Sequence, residues 1–358
     1  MRKLSNIQVL RGLAALALVV FHARDEVDGI GIPTHLPRLL GGAFGVDVFF
    51  VISGLVMVHA SVALFGNTRS VLPFFTKRLA RIVPLYWAVT LLFVLFNHAV
   101  ARGDLSHGAF VRFVGLSLAF LSYIAPVNNS PFPVYTLGWT LNYEIFFYLC
   151  FALALVLPRR AAVAALALGF AGLATVNAVA TLPPWLSYLG ASQILEFVAG
   201  LLIAEMALSG WRLPRWTAAT LVGGGLGATV TLVESMDSWW NLWRGIAWGL
   251  PAAAIVGGMA LYPPVGAPGA IRRWLERLGD ASYALYLVHY ALYVAIEALL
   301  GCVMDLTRLP PILFMLLLIG SAVAAGFAVH RVFEVPLTRW LQRRLAPRQA
   351  LTLAVAEV

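Results

Sequence analysis

The chain has 358 residues, of which 61% are hydrophobic and 11% charged, and its formal net charge is +9. So apolar a composition excludes an ordinary soluble domain. The surplus of Lys and Arg reads as positive cytoplasmic loops rather than a nucleic-acid surface, because no basic patch is interleaved with exposed aromatics.

Taken in order, Met1-Arg2-Lys3 and the apolar run behind it look like a signal peptide, but Arg11 interrupts the run and no small-x-small cleavage site follows. A retained helix is therefore expected. Apolar stretches of about 17 to 25 residues, enough for a hydrocarbon core of roughly 30 Å, recur along the rest of the chain. They fall near 7–24, 42–64, 82–100, 109–125, 138–157, 161–180, 186–208, 216–234, 243–261, 281–300 and 312–335.

If all eleven crossed from a cytoplasmic N-terminus, Arg272, Arg273 and Arg277 would lie outside, with Arg339, Arg343, Arg344 and Arg348, against the positive-inside bias. Letting 109–125, which carries Arg112, enter without crossing brings these residues inside. It also leaves the loops at 126–136, 181–185 and 235–241, which have no Lys or Arg, outside. The expected fold is an all-α polytopic transmembrane helix bundle of about ten crossings plus one re-entrant segment, with both termini cytoplasmic. One membrane domain over 1–345 and a short tail over 346–358 are expected. No internal repeat is evident. Gly223, Gly224, Gly225 and Gly227 read as close helix packing. Cys150 and Cys302 have no metal-ligand spacing and imply no structural disulfide.

Ionisable residues inside apolar runs are costly in a bilayer, so each calls for a functional explanation. Arg11 and His22 are eleven residues apart in the first run, which is three helical turns, so they share one face about 16 Å apart along the axis. In the ten-crossing arrangement His22, Asp47 and Glu144 lie at comparable depth. They suit a general-base centre in which a carboxylate orients the imidazole. Lys77, Arg78 and Arg81 gather at the opposite face, where guanidinium groups suit phosphate. Ser282, Tyr286 and His289 line one face of a later helix, broadened by Tyr283, Tyr290 and Tyr293. Glu334 closes the last helix, either pairing with a cytoplasmic Arg or acting as a ligand.

Several of these residues fall in motifs. They are Arg11-x10-His22, Gly45-Val46-Asp47-Val48-Phe49-Phe50, Arg78-x2-Arg81, Trp139-Thr140-Leu141-Asn142-Tyr143-Glu144, Gly279-x2-Ser282-Tyr283-x2-Tyr286-Leu287-x-His289 and Glu334-Val335-Pro336. In these motifs and their order the chain resembles the acyltransferase-3 family of bacterial inner-membrane O-acyltransferases, of the exopolysaccharide or lipopolysaccharide O-acetyltransferase type.

The resemblance implies transfer of an acyl group, usually acetyl from acetyl-CoA, to a carbohydrate or lipid-linked sugar hydroxyl, with acetyl-CoA as donor rather than a resident cofactor. It implies that His22 is catalytic, Arg11 essential, and Arg78 and Arg81 part of the donor site. Asp47 and Glu144 are expected beside His22, and Trp139, Tyr283, Tyr286 and His289 are expected to contact substrate. No fused hydrolase-like domain is expected, so the membrane domain would transfer directly. Acyl-CoA, the sugar acceptor and membrane lipids are the expected partners, with no metal and no nucleic acid. Two alternatives stay open: a glycolipid transporter or flippase whose buried His and carboxylates relay protons, and an O-acyltransferase acting on a small molecule such as a macrolide.

Overall fold

A computed structural model describes residues 4–32, 42–97, 102–124, 130–234, 244–262 and 269–345. The tail 346–358, the loop 235–241 and part of the loop 126–136 lie outside them. Among the described residues the regular elements are helical. They are α1 (Ser5–Gly29), α2 (Gly45–Ala60), α3 (Val71–Phe96), α4 (His107–Leu118), α5 (Trp139–Ala154), α6 (Arg159–Val179), α7 (Pro184–Leu189), α8 (Ile194–Leu208), α9 (Arg215–Glu234), α10 (Arg244–Ala247), α11 (Gly249–Leu261), α12 (Ala270–Asp280), α13 (Ser282–Gly301), α14 (Pro311–Val329), a π-helical turn (His330–Glu334) and α15 (Val335–Leu345).

Eight helical runs are long and apolar enough to cross a membrane: Ser5–Gly29, Thr68–Phe96, Thr136–Ala154, Arg159–Val179, Pro184–Leu208, Arg244–Leu261, Ser282–Gly301 and Pro311–Leu345. The apolar α2 is shorter, at 16 residues, and α9 has 20 residues diluted by glycine. The stretch expected to enter without crossing holds α4, whose 12 residues reach about 18 Å, short of a roughly 30 Å core.

The chain divides into two compact units, Met1–Ala60 with Ala167–Phe327, and Ser61–Leu166 with the chain from Ala328. In the first, α1 is the central element. Its Ala15, Val19, Ala23 and Val27 are buried with Leu278, Leu285 and Tyr293, and with Phe314, Leu318 and Ala322 of α14. Small residues set the spacing. A Cβ on Gly279 would sit 1.9 Å from the Gln8 carbonyl oxygen, and one on Gly12 would sit 2.6 Å from that of Leu275. The backbones of α1 and α12 therefore touch. Gly54 and Gly200 do the same for α2 and α8, where added Cβ atoms would meet backbone oxygens at 2.2 and 2.0 Å. Of the four glycines of α9, Gly225 packs against Pro251 and Ile255 of α11, while Gly223, Gly224 and Gly227 face open space.

In the second unit, α4 hangs on α3 by two bonds, Tyr86 OH to the Ser117 carbonyl at 3.0 Å and Trp87 Nε1–H to the Leu118 carbonyl at 2.8 Å. The α15 helix packs along α3. Both cysteines are free.

Because the Gly279 contact is with backbone, no side chain can give way. Gly279→Ala should destabilise the protein by about 1–3 kcal/mol, the usual cost of overpacking, and thermal unfolding in nanodiscs should show it. An unchanged midpoint would mean that α1 does not lie this close to α12.

Candidate active site

The α1–α12–α13 groove of the first unit gathers the polar residues that a bilayer makes expensive. At one end Arg272 donates to Ser5 Oγ at 3.1 Å and Asn6 Oδ1 at 2.9 Å, and Ser5 in turn bonds Glu276. One turn further, Gln8 donates to Asp280 through its amide nitrogen, and its amide oxygen accepts from Arg11 at 3.0 Å. The other Arg11 nitrogen reaches Ser282 Oγ at 2.9 Å. Arg11 thus turns into the groove, onto the Gly-Asp-x-Ser segment, because the glycine contact brings that segment within reach.

Further along, His22 and His289 meet. Nδ1 of His22 lies 2.9 Å from the Leu18 carbonyl, and Nδ1 of His289 lies 3.0 Å from that of Leu285. A carbonyl only accepts, so each Nδ1 carries a hydrogen. With His289 neutral, its Nε2 is a lone pair, and it sits 3.1 Å from His22 Nδ1, sharing that hydrogen with Leu18. For a neutral His22 the network therefore selects the tautomer whose Nε2 carries no hydrogen. His289 is fully buried and His22 half-buried. Tyr293, on the same face of α13, donates to the Val19 carbonyl at 3.0 Å and packs edge-on to His289. Tyr286 lies between the His289 and Phe49 rings, at 6.2 and 6.5 Å, and Tyr290 is 6.0 Å from His22. One turn beyond His22, Glu26 lies beside Glu297.

The expected carboxylate partner of His22 is corrected here. Asp47 is fully buried and accepts from Arg244 at 3.1 Å, at the start of α10, with Glu196 of α8 beside it. Trp248 stacks on the Arg244 guanidinium at 4.5 Å. A buried carboxylate without a cation is too costly, so Asp47 takes the guanidinium and a second imidazole orients the first. Arg244 and Glu196 were passed over in the sequence, although a lone charge in an apolar stretch was the available signal.

The second unit holds the other group. Arg78 stacks over Phe74 at 5.3 Å and Tyr148 at 6.0 Å, and the Tyr148 hydroxyl donates to Glu144. Arg81 follows one turn after Arg78. Glu144 thus belongs with the arginine motif. Trp139 packs edge-on to Tyr143 and Phe132, and Tyr283 of α13, in the first unit, is half-buried. Glu334 is buried and pairs with His330 at 2.8 Å across the π turn, rather than with an arginine.

A family profile described as an acyltransferase domain matches residues 4–331, and the chain belongs to that acyltransferase-3 family of membrane enzymes. It is 33% identical to the exopolysaccharide production protein ExoZ of Rhizobium meliloti (strain 1021), over 83% of this chain and 90% of the relative. It is 27% identical to the acyltransferase MdmB of Streptomyces mycarofaciens, over 96% and 93%. No solved structure matches. Membership decides between enzyme and transporter: the chain is a multi-pass membrane O-acyltransferase.

The buried ion pair yields a test. Asp47→Leu alone or Arg244→Met alone should cost about 3–5 kcal/mol by stranding the partner charge, whereas the double variant should recover most of the loss. Transfer activity of that double variant near wild type would place Asp47 in the framework. A stable but inactive double variant would return it to the chemistry.

Proposed function

We propose that this chain moves an acetyl or other short acyl group from acyl-CoA to a hydroxyl of a surface polysaccharide or its lipid-linked precursor, at the bacterial inner membrane, with His22 as general base. One observation carries the reading: the hydrogen-bonded His22 Nδ1, held by Leu18 and His289, leaves Nε2 as a base on a half-buried side chain. His22 Nε2 removes the proton of the acceptor hydroxyl as its oxygen attacks the thioester carbonyl. The C–S bond then breaks and the proton follows to the departing CoA sulfur. His289 acts through His22 and is a positioning residue. Its lone pair stabilises the Nδ1–H of the imidazolium that forms.

Likeness to an exopolysaccharide production protein supports a carbohydrate acceptor. So does the chemistry beyond His22, where the Tyr290 ring and the Glu26 and Glu297 carboxyls offer an aromatic platform and acceptors for sugar hydroxyls. For the donor, Arg78 and Arg81 carry the guanidinium chemistry that binds phosphate in a fork. The stacking of Arg78 on two aromatic rings presets its plane.

Transfer of labelled acetyl from acetyl-CoA, by purified protein in nanodiscs, tests each role. His22→Ala should lower kcat by about 10²–10⁴, the range for a lost general base, while CoA still binds; wild-type turnover in this variant would end the proposal. His289→Phe should lower kcat with little change in donor KM, and His289→Gln, which keeps an acceptor for the His22 hydrogen, should restore part of it. Replacing Arg78 and Arg81 together with Gln should instead raise donor KM by about tenfold or more, the loss of one or more charge-assisted bonds.

A further inference from the structure

Two helices outside this machinery repeat one motif. Arg273-Trp274-Leu275-Glu276-Arg277 in α12 and Arg339-Trp340-Leu341-Gln342-Arg343 in α15 share the pattern Arg-Trp-Leu-x-Arg, each within a helix of 11 residues. Their exposure also matches position by position. Both arginines of each motif are exposed, the leucine is half-buried, and the tryptophan between is 44% exposed in α12 and 53% in α15.

Neither helix fits inside the hydrocarbon. The neighbouring α13 has 20 residues, about 30 Å, which fills the core by itself. On the other side, α14 with the π turn runs from Pro311 to Glu334, about 36 Å at 1.5 Å per residue. Each motif therefore follows or precedes a spanning helix at the level where headgroups lie, the depth that tryptophan and arginine favour. In α12 the intervening Glu276 offsets part of the charge of Arg273 and Arg277, whereas in α15 the intervening residue is Gln342, so Arg339 and Arg343 at i and i+4 repel each other. An anion between them reverses that, and a phosphate suits paired guanidinium groups in geometry. In α15 a third cation, Arg344, lies over the Trp340 ring at 5.6 Å.

We propose that each Arg-Trp-Leu-x-Arg segment is a docking site for the phosphate headgroup of an anionic phospholipid, with the tryptophan seated at the acyl boundary and the arginine pair on the phosphate. Each site ties the end of its own neighbouring helix, α13 or α14, to charged headgroups. The chemistry is that of a phosphate, which acyl-CoA also carries, so the experiment must separate the two sources.

Protein is exchanged into nanodiscs of phosphatidylcholine with about one third phosphatidylglycerol, then extracted gently and weighed with its retained lipid by native mass spectrometry. The wild type should retain phosphatidylglycerol over phosphatidylcholine. Replacing Arg273 and Arg277 by Gln, or Arg339 and Arg343 by Gln, should each lower that preference by at least about fivefold, the contribution of one basic residue near an anionic surface. The fourfold variant should show none, with donor KM unchanged. Equal retention by the fourfold variant overturns the proposal. So does displacement of the lipid by free CoA, or a raised donor KM, since the phosphate recognised would then be the donor's. If the fourfold variant does not insert, the two double variants decide.

Discussion

The architecture of the first unit rests on how closely α1 lies against α12 at Gly12 and Gly279. Neither position can hold a Cβ without striking a backbone atom, so the two helices share one narrow register. In that register Gln8 meets Asp280, Arg11 meets Ser282, and, further along, His22 meets His289. A displacement of even one Cβ radius would part these pairs. Close backbone packing and polar pairing together supply the attraction between the two helices.

The cost of burying charge away from water explains the pairings of the first unit. Arg11 is taken by Ser282 and by a glutamine that itself bonds a carboxylate. Asp47 is taken by Arg244. The two histidines satisfy each other and their own helices, which settles where the hydrogens sit. The proposed catalytic geometry is thus a by-product of satisfying polar groups away from water. The pair that best meets that demand also leaves, in its neutral form, the nitrogen proposed as the base.

The second unit uses aromatic rings for a similar end. Arg78 lies against Phe74 and Tyr148, and Tyr148 passes the contact on to Glu144. Arginine tolerates such stacking because its guanidinium is planar and weakly hydrated, where an ammonium would not. The π turn at His330–Glu334 buries Glu334 against His330 and so ends the apolar helix without a stranded carboxylate.

Periodicity and composition by themselves determined the helical membrane class, most helix positions and the shared face of Arg11 and His22, and the order of the motifs carried the resemblance to the family. These are local properties: an apolar run of fixed length must be a helix where no water can satisfy its backbone. What only the tertiary structure decided was partnership. Asp47 was expected to orient His22 at the same depth, and its partner, Arg244, sits 197 residues away. The fold also set His289 against His22 and Glu144 beside the arginine motif. Depth along a membrane can be counted from a sequence. Which helices stand side by side depends on backbone contacts between glycines far apart in the chain, and no period or spacing encodes those.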